Sequence, residues 1–150
     1  MLRQVLRDFP TDRSTWYNLG LVYLDQGMGQ LLAQVIQQLA ALDGGAVDAG
    51  LLAALWHMRY GDVSLAGPII DDLIAKAPLL AQPRMLRAEW LSRVRAPLDS
   101  QIRALRDILR VQPGNLEALQ WISAVEEIQA AQIRPPQVAW STTVLETPGA

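Results

Sequence analysis

A 34-residue period constrains this chain more than any other feature. Gly27 and Gly61 are one period apart, as are Trp56 with Trp90 and Gly44 with Pro78. A period of that length marks a small supersecondary unit that cannot bury its apolar face alone and stacks on copies of itself. The same residue types also cut the chain into pieces. Breaks fall at Pro10, Gly27 with Gly29, Gly44-Gly45, Gly61, Pro78, Arg95-Ala96-Pro97, Pro113-Gly114 and Pro135-Pro136. Between them lie apolar-periodic segments of roughly 9 to 17 residues, the length of ordinary globular helices. Strict apolar–polar alternation is absent before the tail, so strands are not expected there.

Eight helices follow from this punctuation. Met1 to Phe9 carries Leu2, Val5, Leu6 and Phe9 on one face. Asp12 is placed to cap the next helix, which runs to about Gln26. Segments at about Gly29 to Leu42, Asp48 to Tyr60 and Val63 to Lys76 come next. Pro68 is tolerated in a first turn and kinks a helix if it lies deeper. Pro83 suits a first helical position in a helix reaching about Val94. Leu98 to Val111 and Asn115 to about Ala131 complete the set.

With Arg13 taken as position 1, Trp16, Leu19, Gly20, Tyr23 and Gly27 fall at positions 4, 7, 8, 11 and 15. Gly50, Ala53, Ala54, His57 and Gly61 fall there one period later, and Ala66, Ile70, Leu73 and Pro78 take positions 20, 24, 27 and 32. This pattern resembles the tetratricopeptide repeat: a large residue at 4, Leu at 7, a small residue at 8, an aromatic at 11, Gly at 15, Ala at 20 and Pro at 32. The second half of the first unit departs from it, with Leu32 for Ala and Gly44 for Pro. In the third unit Ala88 and Leu91 keep phase, Arg95 replaces the turn glycine, and one extra residue enters between Val94 and Asp99. Ala118, Trp121, Ile122 and Val125 form the first half of a fourth unit. The resemblance implies an all-α, right-handed solenoid of antiparallel helix pairs over residues 1–131. Units lie at about 13–46, 47–80 and 81–114, between half units at 1–12 and 115–131. Residues 132–150 read as a proline-containing extended tail or linker. The opening half unit points to a piece of a longer array, to a helix covered by something else, or to a short natural cap.

Composition narrows the function. The formal net charge is −2, which argues against nucleic acid as the default partner. The chain has no cysteine, so disulfides and thiolate metal sites are excluded. No apolar run approaches the ~18 residues of a membrane helix. Charges interrupt the first nine residues before a signal-peptide core forms. A soluble, cytoplasmic protein is the default expectation, with an exported location open if the chain is a fragment. No nucleophile, base and oxyanion set and no phosphate loop assembles, so neither catalysis nor a cofactor is expected.

In tetratricopeptide arrays the first helix of each pair lines the concave face. Positions 2, 5, 9, 12 and 13 share the side opposite the packing residues. There Tyr17, Leu21, Leu24, Leu51, Leu55, Met58 and Met85 make an apolar strip. Such a strip is either a site for a hydrophobic peptide or helix, or a surface covered by the chain's own tail, by tight curvature or by a missing repeat. The family's carboxylate clamp for chaperone tails needs Lys, Asn and Arg where this chain has Tyr17, Leu21, Leu52, Gln82 and Leu86, so that use is not supported. The expected function is a protein-interaction scaffold, an assembly factor or chaperone-like adaptor in the family's terms. The alternatives are a non-catalytic arm of a larger enzyme, or a binder of anionic ligand or nucleic acid.

That last alternative rests on Arg103, Arg106 and Arg110, which share a helical face. A solvated face with local ion pairs is the plainer reading. Trp56 and Trp90 are expected to pack between repeats, with ligand stacking as the alternative. His57, with no second histidine, cysteine or carboxylate pair beside it, reads as a core histidine. In the tail, Val138 to Leu145 with Trp140 as anchor is expected to lie on the helical stack or on a neighbouring copy.

Overall fold

In the computed structural model, residues 12–133 are described. They form seven helices and no strand: α1 (Arg13–Asp25), α2 (Gly29–Ala41), α3 (Gly45–Arg59), α4 (Val63–Lys76), α5 (Ala81–Arg93), α6 (Leu98–Val111) and α7 (Leu116–Ile133). The expected helix over Met1 to Phe9 and the Trp140 tail segment lie outside the described residues. The chain divides into two compact units, Met1–Ala96 and Pro97–Ala150. The division falls inside the third expected repeat, where the extra residue and Pro97 interrupt the phase.

Side-chain caps start three of the helices. Asp12 accepts from the Thr15 backbone N–H at 3.3 Å and from its hydroxyl at 2.9 Å, as expected. Asp62 does the same for Ser64 at the start of α4, and Asn115 Oδ1 accepts from the Ala118 N–H at 2.9 Å in α7. Each cap satisfies donors that the first turn leaves without partners. Pro83 is the third residue of α5, where a missing N–H costs nothing. Pro68 is the sixth residue of α4, deeper than the first turn, and leaves the Ser64 carbonyl without its helical donor.

In the first unit short turns fold successive helices back on one another, and α3 touches α1, α2 and α4. Two apolar clusters hold it. One joins Leu19, Tyr23 and Leu24 of α1 to Leu32, Val35 and Leu39 of α2 and Ala49 and Leu52 of α3. The other joins Leu51, Ala54 and Met58 of α3 to Ala66, Ile70 and Leu73 of α4 and Leu86 of α5. Close approach depends on small residues at position 8. A Cβ on Gly20 would come within 2.5 Å of Leu52 Cδ1 and 3.2 Å of Val35 Cγ1. Ala54 and Ala88 hold the same position in the next two repeats and are also buried.

The two tryptophans pack between repeats, as their period predicts. A Cβ on Gly29 would lie 2.9 Å from the Trp56 ring, and Trp90 Nε1 donates to the Val63 carbonyl at 2.8 Å. Gly29 and Val63 are themselves one period apart, so both indoles meet the same place on the preceding repeat. The core reading of His57 holds only in part. The ring is half-buried, and its Nδ1 has no hydrogen-bond partner.

The second unit is the α6–α7 hairpin. Ile102, Leu105 and Ile108 form the buried row of α6. On α7, Ala118 and Val125 are buried, with Trp121 and Ile122 half-buried, the four positions its half repeat predicts.

Two repeats end their first helix in the same backbone shape with different residues. After α1, Gly27 has φ +69°; its N–H bonds the Leu24 carbonyl, and the Met28 N–H bonds the Tyr23 carbonyl. After α5, Arg95 takes φ +56° with the equivalent bonds from Arg95 to Ser92 and from Ala96 to Leu91. This left-handed cap favours glycine, and a residue with a Cβ gives up about 1 kcal/mol there. Arg95→Gly is therefore expected to raise stability by about 1 kcal/mol in urea unfolding. An unchanged or lowered midpoint would show that the Arg95 side chain contributes as much as the strain costs.

Candidate interaction site

The seven residues of the apolar strip separate into two groups. Tyr17, Leu21, Leu55 and Met85 are half-buried and reach the surface. Leu24, Leu51 and Met58 do not: they are 1%, 2% and 4% exposed. Their expected exposure is corrected by helical geometry. Leu24 and Met58 are at position 12, four residues beyond the packing position 8, which is only about 40° around the helix. Leu51 is shut in from both sides, because α3 lies between α1 and α5 and shares a cluster with Leu86. The available strip is thus narrower than the residue pattern implies and is made by positions 5 and 9.

Polar side chains border it. Along one edge, position 13 is Asp25, Arg59 and Arg93 in successive repeats. Arg59 Nη1 donates to Asp25 Oδ1 at 2.8 Å; Arg93 reaches back to the Met58 carbonyl and also pairs with Glu89 at 3.1 Å. Exposed pairs of this kind contribute at most about 1 kcal/mol, so their effect is on register more than on stability. The spacing of Asp25, Arg59 and Arg93 at one period is the sequence signal that could have found this ladder.

At the other edge, Gln82 Nε2 of α5 donates to the Tyr17 hydroxyl of α1 at 3.1 Å. This bond joins the first and third helices of the face across α3, whereas a repeat in such an array ordinarily contacts only its neighbours. Nothing in the spacing predicts it, because it depends on how tightly the three helices close. Burial raises the Tyr17 hydroxyl pKa above the ordinary tyrosine value; the Gln82 bond lowers it, and the nearby Asp48 carboxylate adds to the rise.

The arginine patch is part of the second unit. An open cleft of about 500 Å³ between α6 and α7 is lined by Asp99, Ile102, Arg103, Arg106, Glu126, Gln129 and Ala130. Arg106 pairs with Glu126 at 3.4 Å, Arg103 donates to Ser100 Oγ at 3.3 Å, and Arg110 pairs with Asp107 at 3.4 Å. Carboxylates of Asp99 and Glu126 share the cleft, so it is not a uniformly positive surface.

Helix pairs in register, small residues at position 8 and aromatic contacts between repeats define a helical-repeat fold of the tetratricopeptide type. Two solved structures have this fold, both of MamA, a tetratricopeptide-repeat protein. One aligns over 86% of this chain and 75% of its own with a TM-score of 0.63 at 19% identity. The other covers 97% of this chain and 78% of its own with a TM-score of 0.62 at 20% identity. No family model and no curated protein matches the chain. Among the described residues, no helix is long and apolar enough to cross a membrane.

The raised Tyr17 pKa has a defined sign. A folded-state pKa above the unfolded value gives a contribution present below about pH 10 and lost as pH rises through the folded value. Tyr17→Phe is expected to lose little stability at neutral pH and to become the more stable protein, relative to the parent, above about pH 10. Urea unfolding at neutral and alkaline pH checks this; parallel pH profiles for the two proteins would contradict it.

Proposed function

We propose that this chain is a protein-interaction scaffold that takes a hydrophobic peptide or helix along the strip of Tyr17, Leu21, Leu55 and Met85. The observation that carries the reading is a half-buried apolar row across three successive helices, bordered by ordered polar side chains. Apolar side chains set between polar edges suit a partner that buries alternate or i, i+3, i+4 anchors. Met85 adds an adaptable contact. Leu24, Leu51 and Met58 support the strip from below and do not themselves meet the partner. The tetratricopeptide-type fold supports a binding role, as its members generally bind proteins or peptides without catalysing a reaction. The arginine cleft supports a role in anion binding less well, because its guanidinium groups already have partners.

The test is selection of peptides from a random library on the immobilised full chain. Apolar sequences are expected to emerge. Their affinity should fall at least ~10-fold, about 1.4 kcal/mol, in a Leu21→Glu, Leu55→Glu double variant with unchanged helicity. Arg103→Glu with Arg110→Glu should leave binding unchanged. Selection of acidic peptides that depend on the arginine pair would reverse the assignment.

A further inference from the structure

Helix α2 differs from every other described helix in carrying no charged residue. The seventeen residues between Asp25 and Asp43 are all uncharged, in a chain that is 19% charged. The apolar side chains of α2, Leu32, Val35 and Leu39, are buried in the first cluster. Its outer face is exposed and consists of glutamine and alanine: Gln30, Ala33, Gln34, Gln37, Gln38 and Ala40. Gln30, Gln34 and Gln37 are spaced by i+4 and i+3 and form one row along the helix axis; Ala33 and Ala40 flank it on one side and Gln38 on the other.

A solvent-facing helix normally carries charge, and charge is what interface centres lose. An amide both donates and accepts, so a glutamine row is complementary to itself without a second set of residues. A charged face pairing with a copy of itself would place like charges together; this face has none to repel. In a two-fold, antiparallel arrangement Gln34 meets Gln37 of a second copy, and the alanines let the helix axes come close. We propose that α2 is a homotypic docking surface through which two copies of this chain associate. Because α2 lies outside the strip proposed for peptides, the two proposals stand or fall separately. A helix of 13 residues is ~20 Å long. Such a contact falls short of the ~800 Å² per partner of a stable dimer, so the association is weak, with a Kd on the order of 100 µM.

Sedimentation equilibrium of the full chain over about two decades around that concentration tests this. The parent is expected to show a reversible monomer–dimer equilibrium. Gln34→Glu with Gln37→Glu should weaken it at least ~10-fold by placing like charges across the two-fold axis, with helicity and unfolding midpoint unchanged. The natural chain has no cysteine, so Gln34→Cys mixed with Gln37→Cys should form a disulfide dimer in a glutathione buffer faster than exposed Ala75→Cys on α4. A parent that stays monomeric throughout, a dimer indifferent to the two glutamates, or equal cross-linking through Ala75→Cys would each overturn the proposal.

Discussion

The close approach at position 8 is the contact on which the first unit depends. Gly20 sits under Leu52 with no space for a Cβ, and Ala54 and Ala88 repeat the arrangement in later helices. Because these residues are small, Leu52, Ile70 and Leu73 can pack with essentially no exposure. Filling such a contact costs about 1–3 kcal/mol, a large fraction of a domain's net stability. The indoles of Trp56 and Trp90 then fix the next level of order, the register between one repeat and the following one.

That packing also creates the candidate surface. Stacking α1, α3 and α5 side by side buries positions 8 and 12 and leaves positions 5 and 9 partly open. The same closeness brings Tyr17 within hydrogen-bonding reach of Gln82 and aligns Asp25 with Arg59. The polar border is therefore a consequence of the core contact and not a separate element. A partner entering between these edges meets side chains whose positions the core already sets, which lowers the entropy cost of binding.

Much of the fold is legible in the residues because its determinants are local and repeated. Asp12, Gly27 and the positions of Ala118 and Val125 each follow from capping, turn or periodicity rules. Less local features are not. Arg95 adopts the glycine conformation at the equivalent turn because its backbone bonds are the same, which no propensity rule anticipates. The strip was legible as a face but not in width: Leu51 looks exposed on one helix and is buried only because two others flank it. The Tyr17–Gln82 bond spans two repeats and depends on helix spacing finer than any residue pattern conveys. The pairing of Arg106 with Glu126 across α6 and α7 likewise changes a positive stripe into a mixed cleft.

The central claim is that the open row at positions 5 and 9 is where a hydrophobic partner binds. Hydrogen exchange read amide by amide, with and without a saturating apolar peptide selected on the protein, tests it most directly. Added protection is predicted along α1 from Tyr17 to Leu24 and along α3 from Leu51 to Met58, with α6 and α7 unaffected. Protection confined to the cleft around Arg103 and Glu126 would contradict the account.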